Sequence, residues 1–363
     1  MLTFRDTEAY LRREGLIDVR SAVLGGLTIT DTSRRNHSFQ ITRSDGPSYL
    51  LKQGVDPEGQ AAIQHEAQVY AFLKDGNQKE GILRYLPYFY RYDPADSLLL
   101  LEMVREAQTL REYHVRRRRF SPRLAALLGQ ALAALHRLED PPEQVGPQPW
   151  ILSVHLPGLN IFQDFSSANI QLIKIIQGYP DFCELLDALR ASWRIEALIH
   201  SDIKWDNCLV YGKGGAARIT RLKLIDWEQS DAGDQAWDVG SVFAEYLGFW
   251  LLSIPITGEA PLEQYLDLAR FPLEAMQPAM RSFWSSYTRH SRLASQAATQ
   301  MLRKAIQFAA ARLIQTAMEQ MQNVAQLTGN ALAMLQLCYN ILARPEQAIV
   351  HLLGIPQDIP WNP

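Results

Sequence analysis

One stretch sets the terms for the rest of the chain: Leu198-Ile199-His200-Ser201-Asp202-Ile203-Lys204-Trp205-Asp206-Asn207-Cys208-Leu209-Val210. Apolar runs enter and leave a polar loop that gathers His200, Asp202, Lys204 and Asn207. Further on, Leu222-Lys223-Leu224-Ile225-Asp226-Trp227-Glu228 reads as a second apolar strand that ends in acid. A carboxylate and a carboxamide in one loop, with a second carboxylate at a strand end, are hard oxygen donors of the kind Mg²⁺ takes beside phosphate. The question for the remaining sequence is whether it could supply a nucleotide pocket and an acceptor pocket around this loop.

The chain has room for both. It has 363 residues, 47% of them apolar, which suffices for two or three packed units and argues against global disorder. A net charge of −3 gives no basic field for nucleic acid. No uncharged apolar run reaches the length of a membrane span, and Met1–Asp6 lacks the apolar core of a signal peptide. Cys183, Cys208 and Cys338 are odd in number and widely spaced, so they form neither a disulfide framework nor a zinc pattern. The expectation is a cytoplasmic protein with no nucleic-acid or membrane partner.

Upstream of the loop, residues Thr7–Gly15 read as a short helix, and 19–52 as strands and turns. The segment from Gly25-Gly26 through the polar turn Ser33-Arg34-Arg35-Asn36-His37 is a candidate phosphate cover, with Ser33 and Asn36 as contacts. No G-x-G-x-x-G or Walker loop is present. Lys52 ends an apolar strand, and Glu66 lies on the helix Ala61–Leu73; their ion pair would aim the ammonium at phosphates. Leu86–Tyr92 and Ser97–Val104 read as a hairpin whose exit, Glu102–Val104, offers backbone to a purine. The domain boundary is placed after residue 104.

From Leu110 the pattern is mainly helical. Ser121-Pro122 opens a helix to His136, and Arg116–Arg119 reads as a solvated helix end or a dock for an acidic partner. Residues 139–193 form an irregular, proline-rich connection followed by two helices that could shape an acceptor site. Asp238, after Asp234 and Trp237, either caps the following helix or reaches the backbone of the central loop. Met301, Ile306, Phe308, Leu313, Met318 and Met321 recur at core spacing on a long helix over 297–327. A metallohydrolase would use the same loop, but His136, His155, His290 and His351 lack the paired spacing of metal ligands. A serine nucleophile elbow is absent.

His200-Ser-Asp202-Ile-Lys204-Trp-Asp-Asn207 resembles the H-x-D-x-x-x-x-N loop of the aminoglycoside and choline kinase-like phosphotransferases. Leu224-Ile-Asp226-Trp-Glu228 resembles their metal-binding strand end, and Asp234-Gln-Ala-Trp-Asp238 their next turn. The resemblance implies an α+β, bilobal, protein kinase-like fold: a small antiparallel β-sheet lobe with a helix (1–104) and a larger, mainly helical lobe (105–363). It implies transfer of a phosphoryl group from Mg-ATP to a hydroxyl acceptor. Asp202 would serve as base and Lys204 as charge neutraliser. Asn207 and Asp226 would hold Mg²⁺, with Lys52, Glu66, Glu102, Val104, Ser33 and Asn36 around ATP. Ser201 stands where relatives commonly carry Gly. Ser201 and Lys204 together resemble the H-R-D-x-K-x-x-N loop of Ser/Thr protein kinases. That implies a second acceptor class, a Ser/Thr precursor peptide with a partner lyase, beside the small molecule. A nucleotide-binding pseudokinase is the non-enzymatic alternative, against which the intact Lys52, Asp202, Asn207 and Asp226 speak.

Overall fold

Alternating apolar residues in the first third of the chain build a sheet whose two faces do different work. In the computed structural model, which describes residues 4–17, 26–33, 37–44, 46–74, 80–138, 146–158, 165–212, 219–256 and 263–356, a first helix α1 (Phe4–Arg13) precedes strands β1 (Leu27–Asp31), β2 (His37–Arg43) and β3 (Tyr49–Gln53). Helix α2 (Pro57–Lys74) follows, then a helical turn and the strands β4 (Phe89–Asp93) and β5 (Leu98–Glu102). The sheet is antiparallel, in the order β1-β2-β3-β5-β4. Tyr49 and Leu51 point to one face and pack with Ile41, Phe39, Leu98, Leu100 and with Tyr10 and Leu11 of α1. The period of two sends Lys52 to the other face, toward α2.

The chain continues through β6 (Gln108–Thr109), α3 (Leu110–Arg117), α4 (Pro122–His136), α5 (Ser167–Gln177), α6 (Pro180–Ala191) and β7 (Ala197–Ile199). A 3₁₀ turn, Trp205–Asn207, leads to β8 (Cys208–Tyr211), β9 (Arg221–Leu224) and β10 (Asp231–Gly233). The last stretch is helical: α7 (Gln235–Leu252), α8 (Leu273–Ser291), α9 (Ser295–Gln320), α10 (Gly329–Ala343) and α11 (Pro345–His351). The class is therefore mixed α+β, as expected. Among the described residues no helix is long and apolar enough to cross a membrane.

Two compact units result: residues 1–110 with 206–230, and residues 111–205 with 231–363. In the first, β8 pairs with β6 and β9 beside the five-stranded sheet. In the second, β7 pairs with β10 and the helices form the core. Ser121 caps α4 as the sequence implies, with its side chain accepting from Leu124 N and Pro122 in the first turn. The α7 cap is Asp234, which accepts from Ala236 N, so Asp238 is released for other work. Arg116–Arg119 are exposed at the end of α3.

Helices α4 and α8 cross at Gly129, where a Cβ would stand 2.5 Å from Phe283 O and 2.9 Å from Tyr287 N. Both obstacles are backbone, so neither can swing aside. Gly129→Ala is expected to destabilise the protein by about 1–3 kcal/mol despite the better helix propensity of alanine, read as a lower urea midpoint with an unchanged slope.

Candidate active site

In the first unit, the pleat of β3 and the position of Glu66 on α2 bring three charges together. Lys52 Nζ donates to both Glu66 oxygens at 3.0 and 2.8 Å and to Asp226 Oδ1 at 3.1 Å. Glu66 is wholly buried. Burial pulls the Lys52 ammonium down, but the two carboxylates outweigh it and its pKa stands above the ordinary lysine value. One cation against two carboxylates leaves this cluster net negative. Asp226 has φ +69°, a left-handed conformation in which a non-glycine residue is held at a cost of about 1–2 kcal/mol. Its neighbours fix it there: Ile225 N donates to Asn207 O at 3.0 Å, and Trp227 N reaches Glu66 Oε1 at 3.4 Å. Asn207 and Asp226 thus sit on paired strand ends, one bringing a carboxamide and the other a carboxylate.

The expected nucleotide contacts are partly committed elsewhere. Glu102 N–H donates to Tyr88 O and Met103 N–H to Ser48 O, while the Glu102 carboxylate accepts from Tyr88 N and pairs with Lys223. Ser33 shapes the β1–β2 turn, its amide donating to Asp31 Oδ1 and its hydroxyl accepting from Ser38 N. Asn36 lies outside the described residues.

In the second unit, the central loop hangs on one buried carboxylate. Asp238 accepts from His200 N at 2.7 Å and from Ser201 N at 3.0 Å. His136 Nε2 lies 3.1 Å from Asp238 Oδ2, and its Nδ1 lies 3.0 Å from Tyr287 Oη. Helices α4, α7 and α8 therefore converge on two backbone amides. Trp237 Nε1–H donates to Ser201 O at 2.8 Å. Both backbone groups of Ser201 are held, and Ser201 adopts φ +67°, a conformation that favours glycine. Trp205 N–H is held by Glu245 Oε2, which also accepts from Arg111.

This scaffold presents Asp202 with two cations. Lys204 Nζ donates to Asp202 Oδ2 at 2.6 Å, and Arg312 Nη2 lies 3.6 Å from Asp202 Oδ1. Lys204 is where its spacing puts it, on the same side of the loop as Asp202. Arg312 is not signalled by the loop at all. It comes from the middle of α9, a helix whose sequence advertises only its apolar core positions.

A family model described as the phosphotransferase enzyme family (APH) matches residues 30–283. No curated protein matches the chain. Among solved structures, choline kinase LicA from Streptococcus pneumoniae is 14% identical, with 92% of this chain and 99% of that chain covered at a TM-score of 0.49. A choline/ethanolamine kinase family protein from Mesorhizobium loti is 17% identical, with 94% and 96% covered at a TM-score of 0.44. The gentamicin complex of APH(2")-IIa is 16% identical, with 95% and 97% covered at a TM-score of 0.41.

Beneath the loop, the His114 ring on α3 packs against Trp205 at 4.4 Å and Phe120 at 4.9 Å. Both its ring nitrogens are buried without a hydrogen-bond partner among the described residues. Burial, aided by Arg111, pushes its pKa down to about 3. The unfolded chain takes up a proton near pH 6.5 that the folded protein refuses. This contribution to stability is complete above pH 6.5 and is lost as pH falls toward 3, with a limiting slope of about 1.4 kcal/mol per pH unit. His114→Phe is expected to flatten the acid limb of a stability–pH curve from urea titrations. An unchanged limb would show that His114 does not cause it. Ser201→Gly is expected to raise stability by up to ~1 kcal/mol, seen as a higher melting temperature.

Proposed function

The chain belongs to the phosphotransferase enzyme family, and on that premise we propose that it moves the γ-phosphoryl group of Mg-ATP to the hydroxyl of a small-molecule acceptor. The observation that carries this reading is the Lys52–Glu66–Asp226 cluster, in which a buried glutamate orients an ammonium beside a strand-end carboxylate. Such a lysine meets the α- and β-phosphates. The purine contact falls to the linker near Val104, and the segment after β1 near Ser33 covers the phosphates.

Asn207 and Asp226 are the residues for Mg²⁺. Their fit is chemical: both offer oxygen, and the cluster carries a surplus negative charge. Among the described residues no group of three or more His, Cys, Asp and Glu makes a metal cage. Mg²⁺ does not need one, because it is usually bound by one or two carboxylates with phosphates and waters. When bound, the ion supplies charge neutralisation at the phosphates.

Asp202 orients the acceptor hydroxyl and receives its proton as the alcohol oxygen bonds to the γ-phosphorus. The bond from that phosphorus to the β,γ-bridging oxygen breaks, and ADP leaves with the electron pair. Lys204 offsets charge on the phosphoryl group in transit, as the positioning and electrostatic character of this chemistry requires. The Lys204–Asp202 pair also supports a second reading, with Ser or Thr of a precursor peptide as acceptor and a lyase acting afterwards. Phosphorylation of Ser/Thr peptides, with no small alcohol accepted, would favour it.

Asp202→Asn is expected to lower kcat by about 10²–10⁴-fold while Mg-ATP still binds. Calorimetric titration of Asp226→Asn with ATP is expected to give an affinity that no longer responds to Mg²⁺. Full turnover by the first variant, or an intact Mg²⁺ response in the second, would remove the respective role.

A further inference from the structure

Arg312 stands beside the base, and the reaction outlined above does not use it. Its guanidinium is preorganised. The Cζ atom lies 5.6 Å from the centroid of the Trp237 ring, and Nη1 donates to Gln315 Oε1 at 2.9 Å. Trp237 is itself immobilised, buried in the core with its indole N–H bound to Ser201 O. The side chain of Arg312 is only 12% exposed. Among the described residues the Gln315 contact is the only hydrogen bond its fork makes, since Asp202 stands at 3.6 Å, beyond hydrogen-bond reach. A largely buried guanidinium beside an aromatic ring, with most of its five donors unspent, matches a planar or tetrahedral oxyanion.

The charge count points the same way. Among the described residues, two cations stand against the Asp202 carboxylate, Lys204 at 2.6 Å and Arg312 at 3.6 Å. An ammonium-bearing acceptor brought to Asp202 would be repelled by both. An acceptor with its own carboxylate or phosphate would find a partner fixed beside the atom that handles its hydroxyl, which is what near-attack positioning requires.

We propose that Arg312 binds an anionic group of the acceptor, and that the substrate class is therefore a small hydroxyl compound bearing a carboxylate or a phosphate ester. This rests on the phosphotransferase reading above and narrows it. Arg312 on this view is a specificity residue, and it acts on affinity for one charge class of acceptor. A purely structural ion pair with Asp202 would instead affect every acceptor alike.

The test first measures Mg-ATP binding by calorimetry. It then follows ADP release with matched acceptor sets: glycerate, glycerol and 3-amino-1,2-propanediol; gluconate, glucose and glucosamine; and glucose 1-phosphate beside glucose as the phosphate arm. Within the sets, the anionic member is expected to show kcat/KM about tenfold or more above the neutral one, with the cationic one lowest. Arg312→Gln is expected to erase that advantage mainly through KM, and to change the neutral acceptors far less. Arg312→Lys keeps the charge, guards against a folding artefact and is expected to lose part of the advantage, because a point charge lacks the fork. Three results overturn the proposal while Mg-ATP binds: a neutral or cationic member preferred, an equal loss across the three charges in both variants, or no member of any set accepted. Failure of Mg-ATP to bind overturns the phosphotransferase reading itself, and this inference with it.

Discussion

The buried carboxylate of Asp238 is the constraint on which the loop architecture depends. An ion taken out of water costs several kcal/mol unless its lone pairs are occupied. Asp238 meets that condition only when His200 N, Ser201 N and His136 are all in place. The loop is therefore held through its backbone. Ser201 can then occupy a left-handed conformation, because its amide faces Asp238 and its carbonyl faces Trp237. The turn this creates directs Asp202 to Lys204 and Arg312.

The first unit applies the same logic, with an ammonium rather than backbone amides as the main partner. Glu66 is fully buried and is compensated by Lys52, which in turn holds Asp226. A second left-handed residue, Asp226, marks the point where β9 ends and a carboxylate turns out of the strand. In both units a backbone strained by about 1–2 kcal/mol is kept by bonds from several elements, as happens where geometry serves function.

Much of this is legible before folding, and the reason differs from residue to residue. Lys52 and Glu66 can be paired from sequence because a strand alternates with period two and a helix follows directly. The Ser121 cap is legible because a Ser-Pro pair before an apolar helix has one economical use. Asp238 leaves two uses open, and the choice falls to Asp234, which takes the cap as well as the Arg194 amide. Arg312 is illegible for a physical reason. Helical periodicity tells which face of α9 is apolar, but not which loop of the tertiary fold the polar positions meet. Ser33 and the Glu102–Met103 amides look available in the sequence because turn and sheet bonds to residues five to fifty-five positions away are not visible there.

The division of charge between the two clusters carries the mechanism further than either motif. In the first unit two carboxylates, Glu66 and Asp226, face the Lys52 ammonium, and the proposal gives the metal to this side. In the second unit two cations, Lys204 and Arg312, face the Asp202 carboxylate, and the proposal gives the acceptor's own anion to this side. In the reaction proposed above, Asp202 takes the acceptor proton and the two cations beside it meet negative charge, which is the positioning and electrostatic work that phosphoryl transfer asks of a protein.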